Sequence, residues 1–239
     1  MPRFYIDQIL NLGEEITLPK NIVQHLNVIR LTDKDKVTLF NGNGFSYDAN
    51  ILSLDKKQSL VYIEKRYEVI AAANNINFNL GLSIIANDKM DLALRGATEL
   101  GVTVITPIIS NYAQRVSTER LENRMEHWHK VILSACEQCG QNLIPKILSP
   151  VLFNDFIKDT KAKGKFILAM GQHENIVTKK SLKEFKDITL LVGPEGGFTE
   201  QETALAIASG YTAIRPWNNI LRTETAVVAG ISLILNNLH

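Results

Sequence analysis

Hydrophobic and polar residues alternate in short runs over the first 70 residues of the chain. Two strand-like runs, Val37–Phe40 and Phe45–Ile51, flank the sequence Asn41–Gly44. Asn-Gly pairs accept the positive φ that tight hairpin turns require, so this pattern predicts a β-hairpin. A further alternating run, QSLVYIEKRYEVI, predicts another strand, and one short helix is expected around Asn21–Ile29. Residues 1–70 are therefore expected to form a small β-barrel or compact sheet.

The pattern changes after Ala71–Asn75, a small and polar segment that we predict to be a linker. From residue 76 onward, apolar runs typical of buried strands alternate with runs typical of helices. The predicted strands are FNLGLSII, VTVITPII, KFILAM, ITLLVG and YTAIRP, and the predicted helices are Asp88–Leu100, Thr118–Gly140, Phe153–Lys161, one that begins at Thr199, and Thr225–Asn236. This alternation predicts an α/β domain at 76–239 with a mostly parallel sheet and helices on both faces.

Composition narrows the class of protein without identifying it. The 239 residues are 45% hydrophobic, and 26 basic side chains against 25 acidic ones give a net charge of +1. This excludes a disordered chain and does not predict a nucleic-acid binder, whose usual mark is a strongly basic face. The N-terminus lacks the features of a secretory signal, and the longest apolar stretch, Ala226–Leu235, is about half the ~20 residues of a membrane helix. A cytoplasmic protein is expected.

The sequence ITLLVGPEGGFTEQE contains the first candidate site. A predicted buried strand leads into Gly193–Gly197, and Thr199 with Glu202 forms the capping-box pattern of a helix start. Ligands of open α/β sheets bind beyond the carboxyl ends of the strands, and glycines allow close approach of the backbone to a ligand. The pattern therefore favours a binding loop, with a simple tight turn as the alternative.

The type of ligand is constrained by what this loop lacks. No Gly-Lys-Ser/Thr follows it, and the order Gly-x-x-Gly-Gly differs from the Gly-x-Gly-x-x-Gly of dinucleotide-binding proteins. The acidic Glu195 also stands where a phosphate would be expected. A ligand with uncharged or cationic groups therefore fits the loop better than a pyrophosphate.

The second candidate site joins the last predicted strand to the last helix, in the sequence Asn218–Ala226. Arg222 and Glu224 lie at this junction, where binding and catalytic groups often collect. The alternative is an exposed Arg–Glu pair that contributes less than ~1 kcal/mol to stability. The helix that follows, AVVAGISLIL, is apolar on all sides and is expected to be buried.

A third group of residues follows Cys136 near the end of a predicted helix. Glu137, Gln138 and Asn142 are polar groups that could line a pocket. The lone Cys136-x-x-Cys139 lacks the second pair of a zinc site and does not follow a strand, so helix packing is favoured over redox or metal chemistry. The five histidines show no metal-ligand spacing, and no metal is predicted.

The chain resembles the ribosomal RNA small-subunit methyltransferase E family, of the SPOUT class of RNA methyltransferases. The resemblance rests on four segments in this order: DKMDLALRGATELGV, ACEQCGQNLIPKI, LLVGPEGGFTEQE and ILRTETA. The resemblance covers essentially the whole chain. It implies a PUA-like RNA-binding β-barrel at 1–70 and a SPOUT domain with a C-terminal trefoil knot. It further implies a homodimer that uses S-adenosylmethionine to methylate N3 of a specific uridine in 16S rRNA, near the decoding site of the 30S subunit.

The resemblance also implies which residues form the site. The cofactor would be held by Met170, Gly171, Gly193, Pro194, Glu195, Gly196, Gly197, Asn218, Asn219, Ile220, Leu221 and Thr223. Because negative charge develops on uracil when N3 loses its proton, a cation should stabilise it, and Arg222 is the candidate. Glu224 or Glu195 would accept the proton or orient Arg222. Candidate RNA contacts are Arg3, Arg30 and Arg115.

Two departures from the family pattern leave other functions open. Gln141 and Asn219 stand where relatives commonly carry arginine, and Trp217-Asn218-Asn219 replaces a Gly-Pro-Arg-like run. A non-catalytic RNA-binding or ribosome-assembly protein that retains the fold is one alternative. A nucleotide-dependent enzyme that uses the glycine-rich loop is another, and ATP rather than S-adenosylmethionine should then stabilise the protein.

Overall fold

The structure is a computed structural model, and it describes residues 1–55, 59–68, 76–169 and 185–238. The chain divides into two compact units. Unit 1 contains Met1–Ala72 together with Cys136–Ile144, and unit 2 contains Ala73–Ala135 together with Pro145–His239. The predicted linker at 71–75 lies outside the described residues. No pattern in the sequence indicates that Cys136–Ile144 associates with the N-terminal β-rich part.

Unit 1 is built on one five-stranded sheet. Its elements are β1 (Arg3–Tyr5), β2 (Glu15–Thr17), α1 (Lys20–Val28), β3 (Lys36–Phe40), β4 (Phe45–Leu54) and β5 (Ser59–Glu68). The strand order is β1-β3-β4-β5-β2, with β1 parallel to β3 and the other pairs antiparallel. The predicted hairpin and helix are both confirmed. Gly42 and Gly44 in the hairpin turn have φ of +84° and +90°, which explains the glycines there.

Unit 2 is an α/β unit whose described strand pairs are all parallel. Its elements are β6 (Asn77–Ser83), α2 (Asn87–Glu99), β7 (Val104–Ile109), α3 (Thr118–Cys139), β8 (Lys146–Ile147), β9 (Val151–Leu152), α4 (Phe153–Asp159), β10 (Gly164–Leu168), β11 (Asp187–Val192), α5 (Glu200–Ala208), β12 (Thr212–Ile214) and α6 (Thr223–Leu238). The strand order is β12-β10-β11-β6-β7-β8, and β9 also pairs with β7. The last turn of α3 belongs to unit 1.

Helices cover both faces of the unit 2 sheet, as predicted. Leu190 and Leu191 are neighbours in β11, so their side chains point to opposite faces. A Cβ at Gly230 of α6 would lie 3.2 Å from Leu190, whereas a Cβ at Gly81 would lie 2.8 Å from both Leu191 and Phe156 of α4. Thus α6 packs on one face and α4 on the other, and glycine permits the close contact in each case.

The expectation that α6 is buried on all sides was wrong. One face is buried, through Val227, Ile231 and Ile234, but Val228, about 100° round the helix from Val227, is 39% exposed. The helix packs against the sheet and α2, and these neighbours cover only part of its circumference. No helix in the described ranges is both long enough and apolar enough to cross a membrane.

Candidate functional site

The glycine-rich loop of unit 2 is fixed at both of its ends. It leaves β11 after Val192 and runs into Thr199, the N-cap of α5. The Thr199 hydroxyl oxygen accepts the Glu202 backbone N–H at 3.1 Å, and the Glu202 carboxylate accepts the Thr199 N–H at 2.9 Å. This is the predicted capping box, and it sets the point at which the loop ends.

The loop is a tight turn as well as a wall of a cavity. A Cβ at Gly193 would lie 3.0 Å from the Gly197 carbonyl carbon and 3.2 Å from the Phe198 nitrogen, so a larger residue would collide with backbone. Gly197 has a φ of +70° and donates its N–H to the Pro194 carbonyl at 2.8 Å. The loop thus has the geometry of a tight turn, and its position in the cavity wall is consistent with the predicted binding loop.

A cavity of about 360 Å³ opens beyond the carboxyl ends of β10, β11 and β12. This volume lies within the range of small-molecule sites. The wall consists of strand ends and the loops that follow them: Leu168, Ala169, Val192 to Phe198, Thr203, Ile214 to Trp217, Asn219 to Leu221, Thr223 and Ala226. It includes nine of the residues expected to hold the cofactor: Gly193, Pro194, Glu195, Gly196, Gly197, Asn219, Ile220, Leu221 and Thr223.

Three expected cofactor residues are not in this wall. Met170 and Gly171 lie outside the described residues, although the preceding Ala169 lines the cavity. Asn218 is not a lining residue, but its carbonyl oxygen accepts a hydrogen bond from the Arg215 guanidinium. Its main chain therefore helps to fix the loop that its neighbours present to the cavity.

Arg215 and Trp217 also line the cavity, although neither was predicted from the sequence as a site residue. Arg215 Nε donates to the Trp217 carbonyl at 2.8 Å, and the same side chain donates to the Asn218 carbonyl. One side chain thus holds two successive peptide units of the loop after β12. Arg215 could have been found from its position, since it directly follows the last residue of a parallel strand.

Arg222 and Glu224 do not pair with each other. The Arg222 side chain is exposed, while a Glu224 carboxylate oxygen lies 3.6 Å from Lys89 Nζ of α2. Residues two apart at a helix start lie on different sides, which explains the separation. Neither residue lines the cavity, although Leu221 and Thr223 do. Of the two candidate proton acceptors, Glu195 is the one in the cavity wall, and it is exposed.

Two of the polar residues after Cys136, Glu137 and Asn142, bond to β1 within unit 1, and neither these two nor Gln138 lines the cavity. Glu137 accepts the Tyr5 backbone N–H at 2.9 Å, and Asn142 accepts a hydrogen bond from Arg3 at 2.6 Å. The Arg3 guanidinium also lies 5.0 Å from the centroid of the Phe40 ring. Burial raises the pKa of Glu137 and lowers that of Arg3. These contacts explain why Cys136–Ile144 belongs to unit 1.

The cysteine pair shows no sign of redox chemistry in its environment. Cys136 is buried, and burial raises the pKa of its thiol to about 12, so the reactive thiolate is disfavoured. Cys139 and Gln138 are exposed, and both cysteines are free. The described residues contain no cluster of three or more His, Cys, Asp or Glu side chains that could hold a metal ion.

The remaining candidate RNA contacts, Arg30 and Arg115, are both exposed. Arg30 follows α1 and has a φ of +59°, the left-handed conformation that glycine usually adopts. Arg115 lies between β7 and α3. A charged residue in a conformation that costs energy is a candidate for function.

Comparison with known proteins gives a family for each part of the chain. An RNA methyltransferase domain family matches residues 72–235, and an RNA methyltransferase PUA domain family matches residues 18–64. The ribosomal RNA small subunit methyltransferase E of Rickettsia conorii is 31% identical, over 97% of this chain and 94% of that protein.

Two solved structures are similar over nearly the whole chain. The ribosomal RNA small subunit methyltransferase E of Neisseria gonorrhoeae, bound to S-adenosyl methionine, is 34% identical with a TM-score of 0.87 and covers 99% of this chain and 97% of that one. A methyltransferase from Legionella pneumophila in complex with the same cofactor is 31% identical with a TM-score of 0.88, over 97% and 96% of the two chains.

Proposed function

The chain belongs to the ribosomal RNA small subunit methyltransferase E family, and we propose that it methylates N3 of one specific uridine in 16S rRNA, near the decoding site of the 30S subunit, in the cytoplasm. Methylation of ribosomal RNA with S-adenosylmethionine as the methyl donor is the activity of this family. The observation that carries the proposal is the cavity in which Gly193–Gly197 and Asn219–Leu221 face a common space at the carboxyl ends of the strands.

The residues of this cavity fit S-adenosylmethionine. Aliphatic side chains of Leu168, Val192 and Ile214 provide an apolar wall for a flat base. The close approach of Gly193 and Gly197 leaves backbone groups without side-chain cover, which suits binding of a ribose. Glu195 adds a carboxylate beside the space, which suits a sulfonium cation better than a phosphate.

Bound S-adenosylmethionine supplies a methyl group activated by a positively charged sulfur. The chain must then generate a nucleophile, because neutral uracil carries a proton on N3. As that proton leaves, negative charge spreads over N3 and the two carbonyl oxygens of the ring. The residues of the cavity would therefore have to hold N3 facing the activated methyl group, to which it would bond as the sulfur leaves as an uncharged thioether.

We assign charge stabilisation to Arg222 and proton acceptance to Glu195. Arg222 stands between two cavity residues, Leu221 and Thr223, and among the described residues its side chain forms no hydrogen bond or ion pair. Its guanidinium is therefore available to the developing negative charge. Glu195 is the exposed carboxylate of the cavity wall, whereas Glu224 is occupied by Lys89.

Unit 1 would bind the RNA, in keeping with its match to a PUA domain family. In unit 1, Arg30 is the exposed candidate contact, whereas the Arg3 side chain is already bonded to Asn142. The exposed Arg115 would add a contact from unit 2. A net charge of +1 predicts weak non-specific attraction to RNA. We therefore expect the assembled 30S subunit to be a better substrate than naked 16S rRNA.

We also propose a homodimer and a trefoil knot in the C-terminal part. The exposed face of α6 supports the dimer, since Val228 is 39% exposed and Leu92 on the adjoining α2 is 49% exposed. Val228→Glu should convert the dimer to a monomer in light scattering, whereas an unchanged mass would exclude this face. The match of residues 72–235 to an RNA methyltransferase domain family supports the knot.

The function is tested by identifying the product nucleoside. Purified protein, 30S subunits and S-adenosylmethionine should yield N3-methyluridine by mass spectrometry of digested 16S rRNA. The same nucleoside should disappear from rRNA of a deletion strain, and its retention would refute the proposed reaction. A non-catalytic assembly protein would give no product, and a nucleotide-dependent enzyme would be stabilised thermally by ATP and not by S-adenosylmethionine.

A further inference from the structure

The two tryptophans of the chain lie in opposite environments. Trp128 is fully buried, whereas Trp217 is 65% exposed although it lines the cavity of unit 2. A large aromatic side chain gains free energy when it is covered, so such exposure at the edge of a binding cavity indicates a missing partner.

The backbone of Trp217 is held in place. Arg215 Nε donates to the Trp217 carbonyl at 2.8 Å, and the guanidinium also binds the Asn218 carbonyl. The preceding residue is Pro216, whose ring fixes its own φ and limits the conformations of this segment. The indole is thus presented at the rim from a restrained segment, which lowers the entropy lost when a partner binds.

The other residues of the cavity indicate which molecule would cover the Trp217 indole. The inner wall is aliphatic, with Val192 and Ile214 both buried, and already offers an apolar surface to the cofactor. An exposed indole at the rim is instead available to whatever is brought to the cofactor from outside. If the proposed function holds, that molecule is RNA, and unpaired RNA bases are commonly bound by stacking on aromatic side chains.

We propose that Trp217 is the stacking residue for the target uracil base of the RNA. Stacking uses the face of the ring and leaves its edge, which carries N3 and the two carbonyl oxygens, free to enter the cavity. The same contact offsets the free energy lost when a base leaves its neighbours in the RNA. Trp217 would thereby favour a flat base that no longer stacks on its neighbours in the RNA.

The kinetic test compares three variants on 30S subunits. Trp217→Ala should raise KM for 30S subunits about 5- to 150-fold, the range expected for loss of one stacked base. Trp217→Phe keeps an aromatic face and should recover most of the activity. Trp217→Leu keeps apolar bulk without the aromatic face and should resemble alanine, so a leucine variant equal to the wild type would overturn the proposal.

Two further measurements distinguish other partners of the indole. Quenching of tryptophan fluorescence by iodide reports on Trp217, because Trp128 is buried and out of reach of the ion. S-adenosylmethionine alone should leave the quenching of Trp217 unchanged. Protection by the cofactor alone would assign Trp217 to the adenine and overturn the proposal. A loss of dimer mass in Trp217→Ala would assign it to a subunit contact, with the same consequence.

The wild-type protein separates this proposal from the function on which it rests. If it transfers no methyl group to 30S subunits or to naked 16S rRNA, the proposed function itself fails. If it is active, and the alanine variant has an unchanged KM and kcat, only the stacking role fails. We expect calorimetry to give the same affinity for S-adenosylmethionine in all three variants. A reduced affinity for S-adenosylmethionine in the leucine variant would count against an RNA contact.

Discussion

Lys89 Nζ lies 3.6 Å from a carboxylate oxygen of Glu224, and this ion pair joins α2 to the first turn of α6. The Glu224 side chain is only 13% exposed, so its charge is more shielded from water than that of a typical surface pair. The pair removes Glu224 from the set of available bases. It leaves the neighbouring Arg222 without a carboxylate partner among the described residues.

Lys89→Ala should lower the free energy of unfolding by about 1 kcal/mol, because the mostly buried Glu224 carboxylate loses its partner. The measurement is urea denaturation at neutral pH. Glu224→Gln in the same background should recover part of the loss, since no unpaired charge remains. Lys158→Ala, at an exposed position on α4, is the matched control and should change stability little. Equal losses in both lysine variants would contradict the role of the pair.

Arg222→Ala should lower kcat for methyl transfer about 100-fold, the usual effect of removing one group that stabilises developing negative charge. The affinity for S-adenosylmethionine should change little, because the Arg222 side chain does not line the cavity. Single-turnover kinetics and calorimetry measure the two quantities. Arg120→Ala, an exposed arginine on α3, is the control. A parallel loss of kcat and cofactor affinity would move Arg222 into cofactor binding.

Gly193→Ala should weaken binding of S-adenosylmethionine more than 10-fold. The added Cβ would lie 3.0 Å from the Gly197 carbonyl carbon, and relieving such a contact costs about 1–3 kcal/mol. Gly196→Ala in the same loop is the comparison, because the nearest atoms to its Cβ would belong to the Tyr112 side chain, at 3.4 Å or more. Calorimetry should therefore rank the wild type above Gly196→Ala, and Gly196→Ala above Gly193→Ala. The reverse order would contradict the geometry of the loop.

Arg30→Gly should stabilise the protein by about 1 kcal/mol while weakening its binding to 30S subunits. Glycine adopts the φ of +59° without a steric penalty, so replacement relieves the strain of a left-handed arginine. Arg30→Ala removes the charge without relieving the strain, and should lose affinity with no gain in melting temperature. If both variants bind 30S subunits as tightly as the wild type does, Arg30 is excluded as an RNA contact.

Glu137→Gln should stabilise the protein at neutral pH and leave it unchanged in acid. Burial raises the pKa of Glu137, so the folded protein binds this proton more tightly than the unfolded chain does. The contribution of Glu137 to the free energy of unfolding is therefore fully present below the pKa that this group has in the unfolded chain. It is lost as the pH rises through the higher pKa of the folded protein. Glutamine retains an oxygen for the Tyr5 N–H. The urea midpoints of the wild type and Glu137→Gln should diverge as the pH rises above about 4.5. Midpoints that change with pH in the same way in both proteins would contradict this role of Glu137.

Local sequence patterns predict the parts of the fold that depend on neighbouring residues. The Asn-Gly hairpin, the capping box at Thr199 and the helix ends at Gly101 and Gly140 follow from turn and cap chemistry, and both glycines have positive φ. The wall formed by Gly193–Gly197 was also expected, because parallel strands place their carboxyl ends at one edge.

Contacts between distant residues account for what the sequence did not reveal. Lys89 and Glu224 are 135 positions apart, and no periodicity links two such charges. The contact between Arg3 and Asn142 spans 139 positions, and it draws a helix end into unit 1. Arg215 binds residues close to it in sequence, but its role depends on backbone carbonyls, which any residue type carries.

Because unit 1 is assembled from two separate stretches of chain, its N-terminal strands are synthesised long before their last partner. At the usual rates of translation, roughly 4–14 s pass between residue 72 and residue 144. During that interval Arg3 and the Tyr5 backbone N–H lack Asn142 and Glu137. The N-terminal stretch is therefore an unfinished folding unit when it emerges, and a fragment cut after residue 72 would remain so.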